Sequence, residues 1–226
     1  FLLSPPCHGT FAFSEKELDP SIFVYNFPQL ELKNELKGNT QLDYTSLTLS
    51  DGEPFLASCS SIPDFSITLW NWEKAELICT RPQGGRDVIY LEFNPMNCLQ
   101  LCALGTTTLT VWNIERYKML IATQLVFKQP TVATVTPSTV CWTVTSQLCV
   151  GCAEGYLLLV DPQSLSVSVL VDPTALPAFD SVMHCLEAKG TQISITQTWQ
   201  LERSVTTAVV SPNNSTLLLS ANTVST

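Results

Sequence analysis

Charge is what this sequence has least of. Asp, Glu, Lys and Arg make up 14% of its 226 residues, against roughly a quarter in an average soluble domain, and that deficit suits short strands buried in stacked sheets better than solvent-facing helices. Positive charge is scarcer still. Eleven Lys and Arg stand against 20 Asp and Glu, and a net charge of −9 is the wrong sign for a surface that works by neutralising phosphates, so nucleic acid is not expected as a partner. Long apolar runs are missing too: YLLLV at 156–160 is typical, whereas a bilayer span needs about 20 residues, and no membrane partner is expected. Histidine occurs only at His8 and His184, beside Cys7 and Cys185. Adjacent strand residues point apart, so neither pair reads as a Cys/His nucleophile.

The cysteines exclude more than they offer. Nine of them are irregularly spaced, and an odd total does not make the framework of a secreted disulfide scaffold, so reduced thiols in the cytoplasm are expected. Cys149-Val-Gly-Cys152 has the spacing of half a zinc site, but positions i and i+3 of a strand face opposite sides. Cys98 and Cys102 are too loosely spaced to complete such a site, and core packing is the better reading. Gly84-Gly85-Arg86-Asp87 lacks the Gly-Lys-Ser/Thr of a phosphate loop and precedes a strand, which makes it a connection. Asn213-Asn214-Ser215-Thr216 holds two overlapping glycosylation sequons that read as a tight turn. No catalytic group, metal or cofactor is expected. The opening FLLSPP, without methionine, reads as an internal piece of a longer protein.

What is present is a repeat. SITLWNWEKAEL at 66–77 returns as TLTVWNIERYKM at 108–119, with Trp70 answering to Trp112 and Asn71 to Asn113. Fainter copies place Tyr25 and Val160 at the Trp position. Each copy follows a second period-two run, such as PFLASCS or LQLCALG, and further runs lie upstream and downstream, giving four strands in 40 to 48 residues. Turn residues mark the joints at Asp51-Gly52, Asn94-Pro95-Met96-Asn97 and Ser211-Pro212-Asn213-Asn214. Four strands at that period predict an all-β fold, a WD-repeat-type β-propeller. About four blades are recognisable, near 1–37, 39–81, 87–125 and 139–172, with degenerate or incomplete blades at 180–203 and 205–226, as part of a seven-bladed or double propeller. The stretch from Pro173 to Arg203 holds no full hairpin with a W-N strand. Trp70 and Trp112 recur at one blade position and are expected to pack between blades. Trp72, whose counterpart is Ile114, breaks the pattern and is a candidate contact residue. Two longer hairpin loops, SEKELDP (14–20) and SSIPDF (60–65), are expected on one rim, which adds Glu15, Lys16, Glu17 and Asp64 as candidate partner contacts.

The segments LKGNTQLDYTSLTLSDGEPFLASCSSIPDFSITLWNWE (36–73), FNPMNCLQL (93–101), VWNIER (111–116), QLCVGCAEGYLLLVD (147–161) and VSPNNSTLLL (210–219) resemble the amino-terminal propeller region of the large cilia- and flagella-associated WD-repeat proteins of the axoneme. The resemblance is to the pair that tethers an inner-arm dynein, and it is most specific in SIPDFSITLWNWE. It implies a non-catalytic scaffold of the motile cilium or sperm flagellum, located in the cytoplasm on the axonemal cytoskeleton. It also implies other axonemal proteins as partners, a companion WD-repeat subunit and the inner-arm dynein heavy chain. A general cytosolic WD adaptor for trafficking or ubiquitin ligation, and the propeller portion of a larger hydrolase, are the alternatives. Tubulin's acidic surface requires a basic face, and only Arg116 and Lys118 are close basic neighbours, so direct tubulin contact is not expected of this region. No histidine precedes the first strand of any blade, so the His-and-Asp network of ordinary WD blades is absent, and rigidity is expected from apolar packing.

Overall fold

A computed structural model describes residues 2–3, 9–38, 40–115, 118–127, 135–172, 182–189, 192–200, 205–210 and 217–221. Its described elements are all strands. They divide into two compact units, Phe1–Val171 and Asp172–Thr226. The first unit holds four antiparallel meanders of four strands. The first sheet comprises β1 (Leu2–Leu3), β2 (Thr10–Ser14), β3 (Ser21–Asn26) and β4 (Leu32–Lys37). The second comprises β5 (Tyr44–Leu49), β6 (Phe55–Ser60), β7 (Ile67–Asn71) and β8 (Glu76–Arg81). The third comprises β9 (Val88–Asn94), β10 (Asn97–Gly105), β11 (Thr108–Glu115) and β12 (Lys118–Val126), and the fourth β13 (Pro137–Trp142), β14 (Leu148–Cys152), β15 (Leu157–Val160) and β16 (Val167–Val171).

Period-two alternation explains how one sheet serves two cores. On the second sheet, Leu56 and Trp70 point to one face and Ala57, Cys59, Ile67 and Leu69 to the other, and all six are buried. The first set packs on Ala12, Ile22, Val24 and Leu36 of the first sheet. The second packs on Leu91, Phe93, Leu101 and Trp112 of the third. Cys102, Leu104 and Val111 then meet Val140, Trp142, Leu148 and Val160 of the fourth. The middle strand β6 is buried at all six of its positions, whereas the outermost strand β4 is mostly exposed. On its other face the first sheet carries a cross-strand aromatic ladder, with Tyr25 stacked on Phe11 and on Phe13 at 5.7 Å and Phe13 on Phe23 at 5.5 Å.

Apolar packing is not the whole brace, which corrects the sequence expectation. At one rim the entries to the first strands of the second, third and fourth sheets are tied to the loop between the second and third strands of the same sheet. Ser61 N donates to Asp43 O at 2.8 Å, and Asp43 N to Ser61 Oγ at 3.2 Å. Asp87 accepts from Thr107 N and Thr107 Oγ1, both at 2.9 Å, and from Thr106 Oγ1. Partial burial opposes the ionised form of Asp87, but these donors outweigh it and hold the carboxyl below its ordinary pKa. A Cβ at Gly105 would lie 2.6 Å from Asp87 Oδ2, so this clasp requires glycine. In the fourth sheet Glu154 accepts from Thr136 N at 2.8 Å. Different residue types perform one task, which is why no motif announced it.

In the second unit, β17 (Val182–Lys189) pairs antiparallel with β18 (Gln192–Gln200), and β19 (Val205–Val210) with β20 (Leu217–Ala221). The first of these is a hairpin where the repeat pattern suggested none. Gln192-Ile-Ser-Ile-Thr alternates with period two without the W-N signature, so a reading tuned to that signature passed over it. Ser211-Pro212-Asn213-Asn214 and its sequons, together with Cys7, His8 and Arg116, lie outside the described residues.

Two predictions follow from polar groups inside these cores. Trp70 Nε1 donates to Ser58 Oγ at 2.9 Å, but the matching place in the third sheet is Ala103, and Trp112 Nε1 is buried without a partner among the described residues. Ser58→Ala is expected to lower stability by about 1–2 kcal/mol, because it orphans a buried donor, whereas Ala103→Ser is expected to be neutral or stabilising. Urea unfolding midpoints at unchanged m-value decide this, and a Ser58→Ala variant as stable as the parent refutes it. Glu92 sits opposite Cys102 with Oε2 buried and unpartnered among the described residues, and burial, with a smaller contribution from Cys141, raises its pKa from 4.5 to about 7. A raised carboxyl pKa disfavours the charged form, so the penalty is absent below pH 4.5, grows up to about 7 and is full above. Glu92→Gln is therefore expected to stabilise the fold by on the order of 2–3 kcal/mol at pH 8 and not at pH 4. Equal gains at both pH values would exclude this cause.

Candidate functional site

The candidate contact residues fall on opposite rims of the four-sheet unit. Glu15, Lys16 and Glu17 lie on the β2–β3 loop and Asp64 on the β6–β7 loop, and antiparallel connectivity puts these two loops on the same rim. Lys16 and Glu17 are exposed and Glu15 is half-buried. Glu17 beside it pushes the Glu15 carboxyl up. Asp64 is half-buried, and its carbonyl accepts from Gln83 Nε2 at 3.2 Å, which ties the loop to the connection leaving β8. Trp72 lies in the β7–β8 turn, at the other rim.

Local chemistry fixes that turn. Asn71 Oδ1 accepts from Lys74 N at 3.0 Å, and Ala75 takes a left-handed conformation at φ 53°. Trp72 N donates to Pro54 O at 3.0 Å, joining the turn to the β5–β6 loop, where Gly52 has φ 99°. From the first sheet, Asn34 Nδ2 on β4 donates to Trp72 O and to Glu73 O, each at 2.8 Å. The backbone is thus held from two sheets while the indole remains half-buried against the first core. Beside it opens a cleft of about 160 Å³ lined by Thr10, Leu49, Ser50, Glu53, Pro54 and Glu73.

Charge around the cleft is mostly negative. Asp51, Glu53 and Glu73 are exposed on the two turns and Glu76 at the start of β8, against Lys74 on one of the turns. The cleft therefore offers an indole face flanked by carboxylates, a combination suited to the aliphatic stem and cationic head of a Lys or Arg side chain. Among the described residues, no group of three or more His, Cys, Asp and Glu side chains could hold a metal ion.

The CxxC resolves into two unrelated cysteines. Cys152 is buried in the third core, and Cys149 points to the other face of β14. Sequence reading missed the partner that Cys149 does have: Cys141 lies directly opposite on β13. Only strand register could reveal it, since 141 and 149 make no recognised spacing.

No family model matches the chain. It is 33% identical over 219 residues to mouse cilia- and flagella-associated protein 43, an alignment that covers 75% of this chain and 13% of that protein. It is 30% identical over 104 residues to mouse cilia- and flagella-associated protein 44, covering 46% of this chain and 6% of that protein. The chain thus spans a small part of the relatives it matches. Among solved structures, the β-propeller domain of Myceliophteria thermophila Cps50 (Swd1) superposes with a TM-score of 0.69 at 15% identity, covering 94% of this chain and 76% of that one. At that identity the likeness bears on the fold, and it agrees with the four-stranded meanders. The chain has the β-propeller fold expected from its repeat, and it is a homologue of the cilia- and flagella-associated proteins 43 and 44.

Proposed function

We propose that the chain is part of a non-catalytic structural scaffold of the motile cilium or flagellum, located on the axoneme, in the assembly that tethers an inner-arm dynein to the doublet microtubule. The observation that carries this reading is the 33% identity to cilia- and flagella-associated protein 43 over three quarters of the chain. The fold supports it in physical terms. Stacked sheets that share cores move as one body, so loops on both rims present fixed surfaces to several partners at once. In this reading the partners are other axonemal proteins, a companion WD-repeat subunit and the dynein heavy chain. The Trp72 cleft is the docking site on one rim, and the loops bearing Glu15, Lys16, Glu17 and Asp64 provide contacts on the other.

Three measurements test the reading. Trp72→Ala is expected to weaken binding of the companion subunit by about ten- to a hundredfold, as truncating an aromatic anchor does, with the far-UV spectrum unchanged; undiminished affinity removes Trp72 from the interface. Given the net charge of −9, this region is expected not to co-sediment with bare microtubules at physiological salt. Saturable micromolar binding that weakens as salt rises would show that a basic docking face assembles in the fold. Immunolocalisation to motile cilia and flagella is expected, and even cytoplasmic staining would sink the axonemal reading.

A further inference from the structure

We propose that Cys141 and Cys149 form a dithiol site that reacts with hydroperoxides and closes to a disulfide across strands β13 and β14. The site is set by register. The two residues are directly opposed in an antiparallel pair, and opposed residues have Cα atoms about 4.5–5.5 Å apart, inside the range a disulfide spans without backbone movement. Both side chains point away from the core that the sheet shares with its neighbour: Val140 and Trp142 flank Cys141, Leu148 and Val150 flank Cys149, and all four face that core. Cys141 is exposed and Cys149 partly so, whereas Cys59, Cys102 and Cys152 are buried.

The pair also has the chemistry to divide the labour. The neighbouring Cys141 thiol favours the Cys149 thiolate and brings its pKa down to about 7, while Cys149 in turn favours the protonated form of Cys141. Desolvation pushes the buried thiols of Cys59 and Cys102 up, away from the reactive form. The Cys149 thiolate attacks one oxygen of the peroxide and the O–O bond breaks. Cys149 becomes a sulfenic acid, and the departing hydroxide takes a proton to become water, or an alcohol if the peroxide is organic. Cys141 then loses its proton and attacks the Cys149 sulfur, the S–O bond breaks, and the leaving hydroxide takes up a proton as a second water. Two thiols have lost two electrons and two protons, and the peroxide has gained them.

Peptide mapping of the whole protein tests this. After brief exposure to hydrogen peroxide and blocking of remaining thiols, a peptide pair joined through Cys141 and Cys149 is expected, reversible by dithiothreitol and formed before Cys59 or Cys102 is modified. Before oxidation, alkylation of Cys149 by iodoacetamide is expected to rise with pH through a midpoint near about 7. In Cys141→Ser the sulfenic acid has no resolving thiol, and its dimedone adduct at Cys149 is expected to increase about tenfold over the parent. Three results would overturn the proposal: Cys149 protected from iodoacetamide in the whole protein, Cys149 still alkylatable after peroxide, or Cys149 joined to a different cysteine. All three are read on the unmutated protein, so a variant that fails to fold does not rescue it.

Discussion

A sheet whose middle strands are apolar on both faces has no stable state alone; each face must be covered by another sheet. That requirement organises the four-sheet unit. The second sheet shows it most directly, since Leu56 and Trp70 are buried against the first sheet while Ala57, Ile67 and Leu69 are buried against the third. Every sheet with two neighbours is part of two cores, so a change in one propagates to both. The low charge content has the same origin, because residues covered on both sides leave few positions where charge is tolerated.

Polar groups inside and at the rims of such a stack are stabilising where they are paired, and the exceptions are informative. Ser58 satisfies Trp70, the Asp87 clasp is fully donated to, and Asn34 ties the first sheet to the turn carrying Trp72. Trp112 and Glu92 are left with buried polar atoms lacking partners among the described residues. These imperfect places lie between the same sheets that the apolar alternation joins so regularly. The repeat therefore fixes the architecture, while individual polar residues tune the strength of each interface.

The two rims follow from connectivity and not from any sequence label. Glu15, Lys16, Glu17 and Asp64 gather at one rim because β2–β3 and β6–β7 are equivalent connections, and Trp72 lies at the other because β7–β8 runs back. In the proposed scaffold both rims are available to partners, and the Trp72 cleft, lined by an indole, carboxylates and hydroxyls, is the proposed docking surface.

Alternation with period two, the W-N recurrence and the turn residues at Asp51-Gly52 and Asn94-Pro95-Met96-Asn97 were enough to place the four-stranded meanders and the inward-facing tryptophans, because those depend on interactions between near neighbours. The hairpin of β17 and β18 escaped because it obeys the alternation but lacks the signature. The rim clasps escaped because Asp43, Asp87 and Thr136 play one role with different chemistry. The pairing of Cys141 with Cys149, and the hydrogen bonds from Asn34 and to Pro54 that hold the Trp72 turn, were decided by the tertiary structure alone. Strand register and sheet stacking bring together residues that no local pattern links, and a shift of one residue would have turned each of those side chains to the other face.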